Sequence, residues 1–173
     1  MKQNTKALTL FLLLGSYFTI CFAQEFEIPQ NVALEKKEDY IKYEKDIIAA
    51  TGWLEATPLG KDDDKRKLVS AFVLQWITGS PTVSIEINTA VTKIADKNPE
   101  MLIMLMAAYT RYALQNNYET DKLKCFTAAM KSVINLYNAG GDVKKNKTIE
   151  KAISADKEDK LEGWADENIV HAK

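Results

Sequence analysis

The sequence predicts an all-α fold, either an irregular bundle or a short stack of helical hairpins, with five to seven helices. Apolar residues recur every three or four positions through most of residues 36–166, which is the period of amphipathic helices. Two segments, 68–77 and 101–108, are apolar nearly all round, as helices buried on more than one side are. A stretch of this length can bury one core, so we expect a single helical domain over 36–166.

The N-terminus has the order of a secretory signal peptide. Lys2 and Lys6 precede an apolar run over residues 7–20, and small residues precede a cleavage site ahead of Gln24. The run of about 14 residues is shorter than the roughly 20 that cross a bilayer as a helix, which disfavours an uncleaved membrane anchor. We therefore expect residues 1–23 to be cleaved, and the mature chain to be periplasmic or secreted without a membrane span.

The composition of the mature chain argues against several classes of partner and chemistry. Loss of Lys2 and Lys6 would change the formal net charge from −1 to −3, and such a chain lacks the dense positive charge that nucleic acid binding needs. Cys125 would be its single cysteine, so we expect no intramolecular disulfide and a buried, inert thiol. The single histidine, His171, lies near the chain end and is a poor partner for a nucleophile.

A lead-in and two helices are predicted first. Pro29 keeps residues 24–35 extended, and a helix over 36–56 presents one apolar face formed by Tyr40, Ile47, Ala50 and Leu54. The second helix covers about 62–78 and starts with three aspartates, which suit the positive end of a helix dipole. We expect Arg66, in this charged start, to be solvated.

Residues 82–97 are compatible with two structures. Val83, Ile85 and Ile87 alternate with polar residues, as in a strand. A longer helical stripe also fits, and Ser80 followed by Pro81 is typical of a helix N-cap and first turn. We interpret this segment as a helix.

The next two helices form the centre of the predicted core. Asn98-Pro99-Glu100 is typical of a helix start, and residues 101–108 are the most apolar segment of the mature chain, so the helix that ends near Asn116 should be central. The fifth helix covers 120–139 and ends at Gly140-Gly141, and it carries a single packing seam of Leu123, Phe126, Met130, Val133 and Tyr137.

The C-terminal part is more weakly patterned. Two short helices are expected around 149–153 and 161–165, followed by a frayed tail over 167–173. Asn146-Lys147-Thr148 matches the N-glycosylation sequon, which would matter in a eukaryotic host.

No motif indicates a cofactor, a metal or a catalytic centre. The acidic run 62–64 fails the EF-hand pattern, since Lys67 and Val73 stand where that loop requires Gly and Glu. The glycines match neither a phosphate-binding loop nor a dinucleotide-binding pattern. One histidine and one cysteine leave little for a metal site or a catalytic triad. We therefore expect no cofactor, no metal and no enzymatic activity.

One residue suggests a binding site. Arg111 lies beside tyrosines in the most apolar helix, and arginine is suited to bidentate capture of a carboxylate and to stacking on aromatic rings. We expect Arg111 to lie at the base of an interhelical pocket. The other candidate residues of this pocket are Tyr112, and Gln75 and Trp76 on the other apolar helix. The alternatives are an internal ion pair, for example with Glu86, and an arginine that points into solvent.

These observations favour an exported, non-enzymatic module that binds an unknown protein or a small anionic ligand. The alternative is a carboxylate-dependent hydrolase of the cell envelope, because the many Asp and Glu residues could include a catalytic pair. A hydrolase requires a cleft that holds paired carboxylates, whereas a binding module requires a groove or an exposed apolar patch.

Overall fold

The computed structural model describes residues 25–172, so the predicted signal peptide lies outside the described residues. Within this range the chain forms seven α-helices and no strand, which confirms the all-α prediction. The helices are α1 (Lys37–Ala56), α2 (Asp63–Gly79), α3 (Thr89–Ile94), α4 (Pro99–Gln115), α5 (Lys122–Asn138), α6 (Lys147–Lys157) and α7 (Leu161–Ala165). A π-helical turn, Asp166–Val170, follows α7.

An antiparallel hairpin of α4 and α5 forms the centre of the core. The most apolar part of α4 is buried as predicted, since Met101, Met104 and Leu105 have at most 1% of their surface exposed. Across the hairpin, the rings of Tyr109 and Phe126 meet edge to face, with their centroids 4.9 Å apart. α1 and α2 pack on α4, and α6 and α7 pack on α5, so the hairpin organises the whole domain.

α1 and α2 form a second antiparallel hairpin, which is held by aromatic contacts along its length. Tyr40 meets Trp76, and Tyr43 meets Phe72, with ring centroids 5.9 and 6.3 Å apart. The segment before α1 has no helix or strand, and its Phe26 stacks on Phe72. This segment therefore contributes to the core and covers one end of the hairpin.

The helix predicted for residues 82–97 is wrong for most of its length, because only α3 is helical. Ser80 Oγ accepts hydrogen bonds from the two amides that follow Pro81, at 3.3 and 3.2 Å, and so stabilises a turn rather than a helix start. The N-cap of α3 is Asn88, whose side chain accepts from an amide of that helix at 2.9 Å. Of the three alternating apolar residues, Val83 is buried, Ile85 is half-buried and Ile87 is exposed, so the alternation follows burial only at the start of the segment.

The folded part of the chain extends further towards the C-terminus than predicted, into the tail 167–173 that was expected to fray. Ile169, in the π-helical turn, has 1% of its surface exposed. Its carbonyl accepts a hydrogen bond from Asn88 Nδ2 at 2.9 Å, which ties the chain end to the start of α3. The turn also contacts α5, so residues up to 170 belong to the folded domain.

Asn146 joins the end of α3 to the start of α6. Its Nδ2 donates to three backbone oxygens, those of Lys93, Ile94 and Asp96, at 3.0–3.1 Å. Its Oδ1 caps α6 by accepting from two amides of the first turn, at 2.9 and 3.1 Å. Because Asn146 is buried and its amide nitrogen is fully engaged, the folded protein cannot carry a glycan there, and the sequon has a structural role instead.

Candidate functional site

Arg111 forms an internal polar network at the junction of α1, α4 and α5. Its Nη2 donates to Glu55 Oε2 at 2.6 Å and to Ser132 Oγ at 2.8 Å, and Glu55 Oε1 accepts from Asn135 Nδ2 at 2.7 Å. An ion pair was one of the two alternatives to a pocket, but the partner is Glu55 and not Glu86, which pairs with Lys122 on the surface.

The four side chains expected to share a pocket are not brought together. Trp76 is fully buried and its Nε1 donates to Tyr40 O at 3.0 Å, whereas Gln75 is exposed to solvent. Tyr112 is half-buried beside α5 and α7. Since Tyr40 and the Arg111 partner Glu55 lie about 22 Å apart along α1, at 1.5 Å per residue, Trp76 and Arg111 cannot line one small site.

The Glu55 network should make stability depend on pH. Burial opposes ionisation of Glu55, but hydrogen bonds from Asn135 and Arg111 and the charge of Arg111 outweigh it and hold the pKa of this carboxyl below its usual value. Such a group stabilises the fold above its unfolded-state pKa, and that contribution is lost as the pH falls through the folded-state pKa. We expect Glu55→Gln to be less stable than the wild type at about pH 7, and the difference to shrink towards about pH 3.

Urea unfolding followed by circular dichroism at several pH values measures this effect. Glu38→Gln is the matched control, because Glu38 is exposed on the same helix. A difference between wild type and Glu55→Gln that stays constant from neutral to acidic pH would contradict the role given to this carboxylate.

A different residue, Arg66, occupies the wall of a cavity. The cavity has a volume of about 550 Å³ and lies between α2, the N-terminal turn of α4 and the loops on either side of them. This volume falls within the range of small-molecule sites. Arg66 has only 6% of its surface exposed, so the prediction that it is solvated is wrong.

The burial of Arg66 follows from its position on α2. It lies three residues before Val69 and seven before Val73, both fully buried, and therefore shares their face of the helix. Its Nη2 donates to Leu54 O at 3.2 Å and also to Thr57 O, which are backbone oxygens at the C-terminal end of α1. A cation suits the negative end of a helix dipole, so Arg66 anchors that end of α1 to α2.

These contacts leave the charge of Arg66 only partly compensated. Among the described residues no carboxylate forms an ion pair with it, and its buried Nε has no hydrogen-bond partner. Burial lowers the pKa of the guanidinium, and the charges of Asp63 and Glu100 oppose that change. Arginine stays protonated in proteins, so a buried positive charge borders the cavity.

The remaining lining combines charged and aliphatic side chains. The basic ones are Lys67, Lys97 and Lys144, and the acidic ones are Asp63, Glu100 and Asp142. The apolar part is formed by Leu59, Ala71, Leu74, Pro99 and Ile103. Among residues 25–172, no aromatic side chain lines this cavity.

Hydrogen bonds to the backbone hold the wall of the cavity that contains Asp142 and Lys144 in place. The Asp142 amide donates to Leu59 O at 2.9 Å, next to an isolated bridge between Leu59 and Gly141. Asn98 Nδ2 donates to Lys144 O at 2.7 Å and Asn98 Oδ1 accepts from the Lys144 amide at 2.8 Å. The cavity is therefore formed by the fold itself rather than by mobile side chains alone.

Replacing Gly141 with alanine should open this wall and destabilise the protein. Gly141 has a φ of +81°, where residues other than glycine are strained, and a Cβ there would collide with the Leu59 carbonyl. We expect the free energy of unfolding to fall by about 2–3 kcal/mol, measured by urea unfolding. In Gly163→Ala, the control, a Cβ would meet open space within α7, so we expect little change or a gain of up to about 1 kcal/mol.

The Cys125 thiol is buried and is not part of the cavity lining. Burial raises the pKa of the Cys125 thiol to about 11, and its Sγ lies 3.6 Å from Glu119 O.

No three His, Cys, Asp or Glu side chains between residues 25 and 172 are grouped so that they could hold a metal ion. No helix in this range combines the length and the hydrophobicity that a membrane span requires.

Comparisons with protein-family models, with curated protein sequences and with solved structures found no match to this chain.

Proposed function

We propose that the chain is an exported, non-enzymatic binding module and that it holds a small anionic ligand in the Arg66 cavity. The observation that carries the proposal is a buried guanidinium, in the wall of a preformed cavity, for which the described part of the chain offers no ion-pair partner. Export is supported by the basic, apolar and small-residue order of residues 1–23. It predicts that the protein isolated from its host begins at Gln24, which intact mass measurement checks.

An anionic ligand is favoured because the positive charge of Arg66 is buried and only partly compensated. Removing a cation from water is costly unless a negative group or hydrogen-bond acceptors replace the lost hydration. Two backbone oxygens do so on one side of the guanidinium, and its Nε lacks an acceptor. A ligand carboxylate or similar group in the cavity would place the missing negative charge beside the guanidinium.

Native mass spectrometry of the protein purified from its host tests this proposal. We expect a non-covalent adduct of constant mass on the wild type, and its release on denaturation. Ala71→Trp should hinder adduct formation, because Ala71 is an exposed residue of α2 that lines the cavity and an indole there would obstruct it. Gln75→Trp is the matched control, since Gln75 is exposed one turn further along and does not line the cavity.

Two results would contradict the proposal. One is a wild type that carries no adduct when isolated folded from its own compartment. The other is an adduct that persists unchanged in Ala71→Trp, because the ligand would then lie elsewhere.

The hydrolase alternative has one observation in its favour, since Asp63, Glu100 and Asp142 all line the same cavity. It predicts turnover, with the bound mass replaced over time by a smaller product in the wild type and retained in Glu100→Gln. A simple binding module predicts the same stable mass in both proteins.

A further inference from the structure

Resting on the proposed function, we infer that the ligand is an aliphatic monocarboxylate. Its carboxylate lies at the Arg66 end of the cavity, and its hydrocarbon chain lies along the groove between α2 and α4. Three properties of the lining support this ligand class: the sign and size of its charge, the separation of charged from apolar side chains, and the absence of aromatic rings.

The charge of the lining matches a single negative group. Four basic side chains, Arg66 and three lysines, face three acidic ones, which leaves a formal excess of one positive charge. The cavity also includes the first turn of α4, where the helix dipole favours an anion. One carboxylate neutralises this excess, whereas a dianion would leave an uncompensated negative charge beside the acids.

Along α2, the charged side chains of the lining precede the apolar ones. The lining follows α2 from Asp63 to Leu74, about 16 Å at 1.5 Å per residue. Charged residues lie at the start of this stretch and Ala71 and Leu74 lie at its end, and Ile103 of α4 adds a further apolar side chain to the lining. This separation fits a ligand with a polar head and an apolar tail.

The apolar end is entirely aliphatic. Sugars and nucleobases are commonly bound by stacking on aromatic side chains, and none lines this cavity. The ring centroid of Trp53 lies 5.8 Å from the Arg66 guanidinium carbon, but Trp53 is not part of the lining. An alkyl chain needs only the contact surface that aliphatic side chains offer.

Isothermal titration calorimetry with three ten-carbon probes of different head-group charge tests the inference. The probes are decanoate, decanol and decyltrimethylammonium, titrated into the chain from Gln24 to Lys173. We expect decanoate to bind with one-to-one stoichiometry and at least about tenfold more tightly than either other probe, a difference that added salt reduces. Lys97→Ala combined with Lys144→Ala should weaken decanoate binding several-fold, whereas Lys45→Ala, an exposed lysine on α1, should not.

The outcomes separate this inference from the proposed function. Equal binding of all three probes, lost in Ala71→Trp, would overturn the monocarboxylate and leave the cavity as the site. Failure of decanoate to bind the ligand-free wild type, when the protein isolated from its host does carry a native adduct, would also overturn the ligand class alone. Decanoate binding that Ala71→Trp does not change would place the carboxylate elsewhere and overturn the inference.

Discussion

Replacing Arg66 with methionine is expected to lower the free energy of unfolding by about 2–4 kcal/mol. Methionine keeps an unbranched, apolar side chain against Trp53, so the variant removes mainly the guanidinium. Two backbone oxygens at the end of α1, those of Leu54 and Thr57, then lose their donor inside the protein. A buried acceptor left without a partner costs about 1–3 kcal/mol, and the lower part of that interval for each of the two oxygens gives the expected range.

Urea unfolding of Arg66→Met beside Lys67→Met measures this loss. Lys67 is the next residue, lines the same cavity and is exposed, so its replacement should change stability by no more than about 0.5 kcal/mol. An Arg66→Met variant as stable as the wild type would contradict the anchoring of α1, since the two backbone contacts would then contribute nothing net.

Replacing Asn146 with alanine is expected to destabilise the protein by about 3–4 kcal/mol. The change removes the cap of α6 and the donor to three backbone oxygens at the end of α3 in one step. Asn146→Asp separates the two contributions, because a carboxylate can still cap α6 but faces the α3 oxygens with a negative charge. It should therefore lose stability through the α3 contacts alone.

Thermal and urea unfolding compare these variants with Asn138→Ala, an exposed asparagine at the end of α5. The control should stay within about 0.5 kcal/mol of the wild type. A loss below about 1 kcal/mol in Asn146→Ala would show that the buried network does not hold α3 and α6 together.

The helices were the most predictable part of the fold because their signals are local. The seam of α5 and the apolar stretch of α4 can be recognised within a few turns of sequence. Phe126, Met130 and Val133 of the seam are buried as expected, whereas Leu123 and Tyr137 at its ends are half-buried. Local signals also explain why the helix predicted before α3 is wrong. Ser80 and Pro81 form a turn whose sequence resembles a helix start.

The candidate site was less predictable because its contacts join distant parts of the chain. Arg111 was recognised as unusual, but its partner Glu55 lies 56 residues away and is not indicated by any local pattern. The charged run around Arg66 predicts a solvated side chain, whereas its spacing from Val69 and Val73 places it on the buried face of α2. That spacing is the one signal that could have identified the site in advance.

The most direct test of the central claim is the NMR resonance of the Arg66 Nε–H group. The sequence has only two arginines, Arg66 and Arg111, so a ¹⁵N spectrum of the Nε region is simple and Arg111→Lys assigns it. We predict that small molecules extracted from the host, added to the ligand-free protein, shift the Arg66 resonance and leave that of Arg111 unchanged. An Arg66 resonance that stays fixed while ligand binding is detected elsewhere in the protein would contradict a binding site in this cavity.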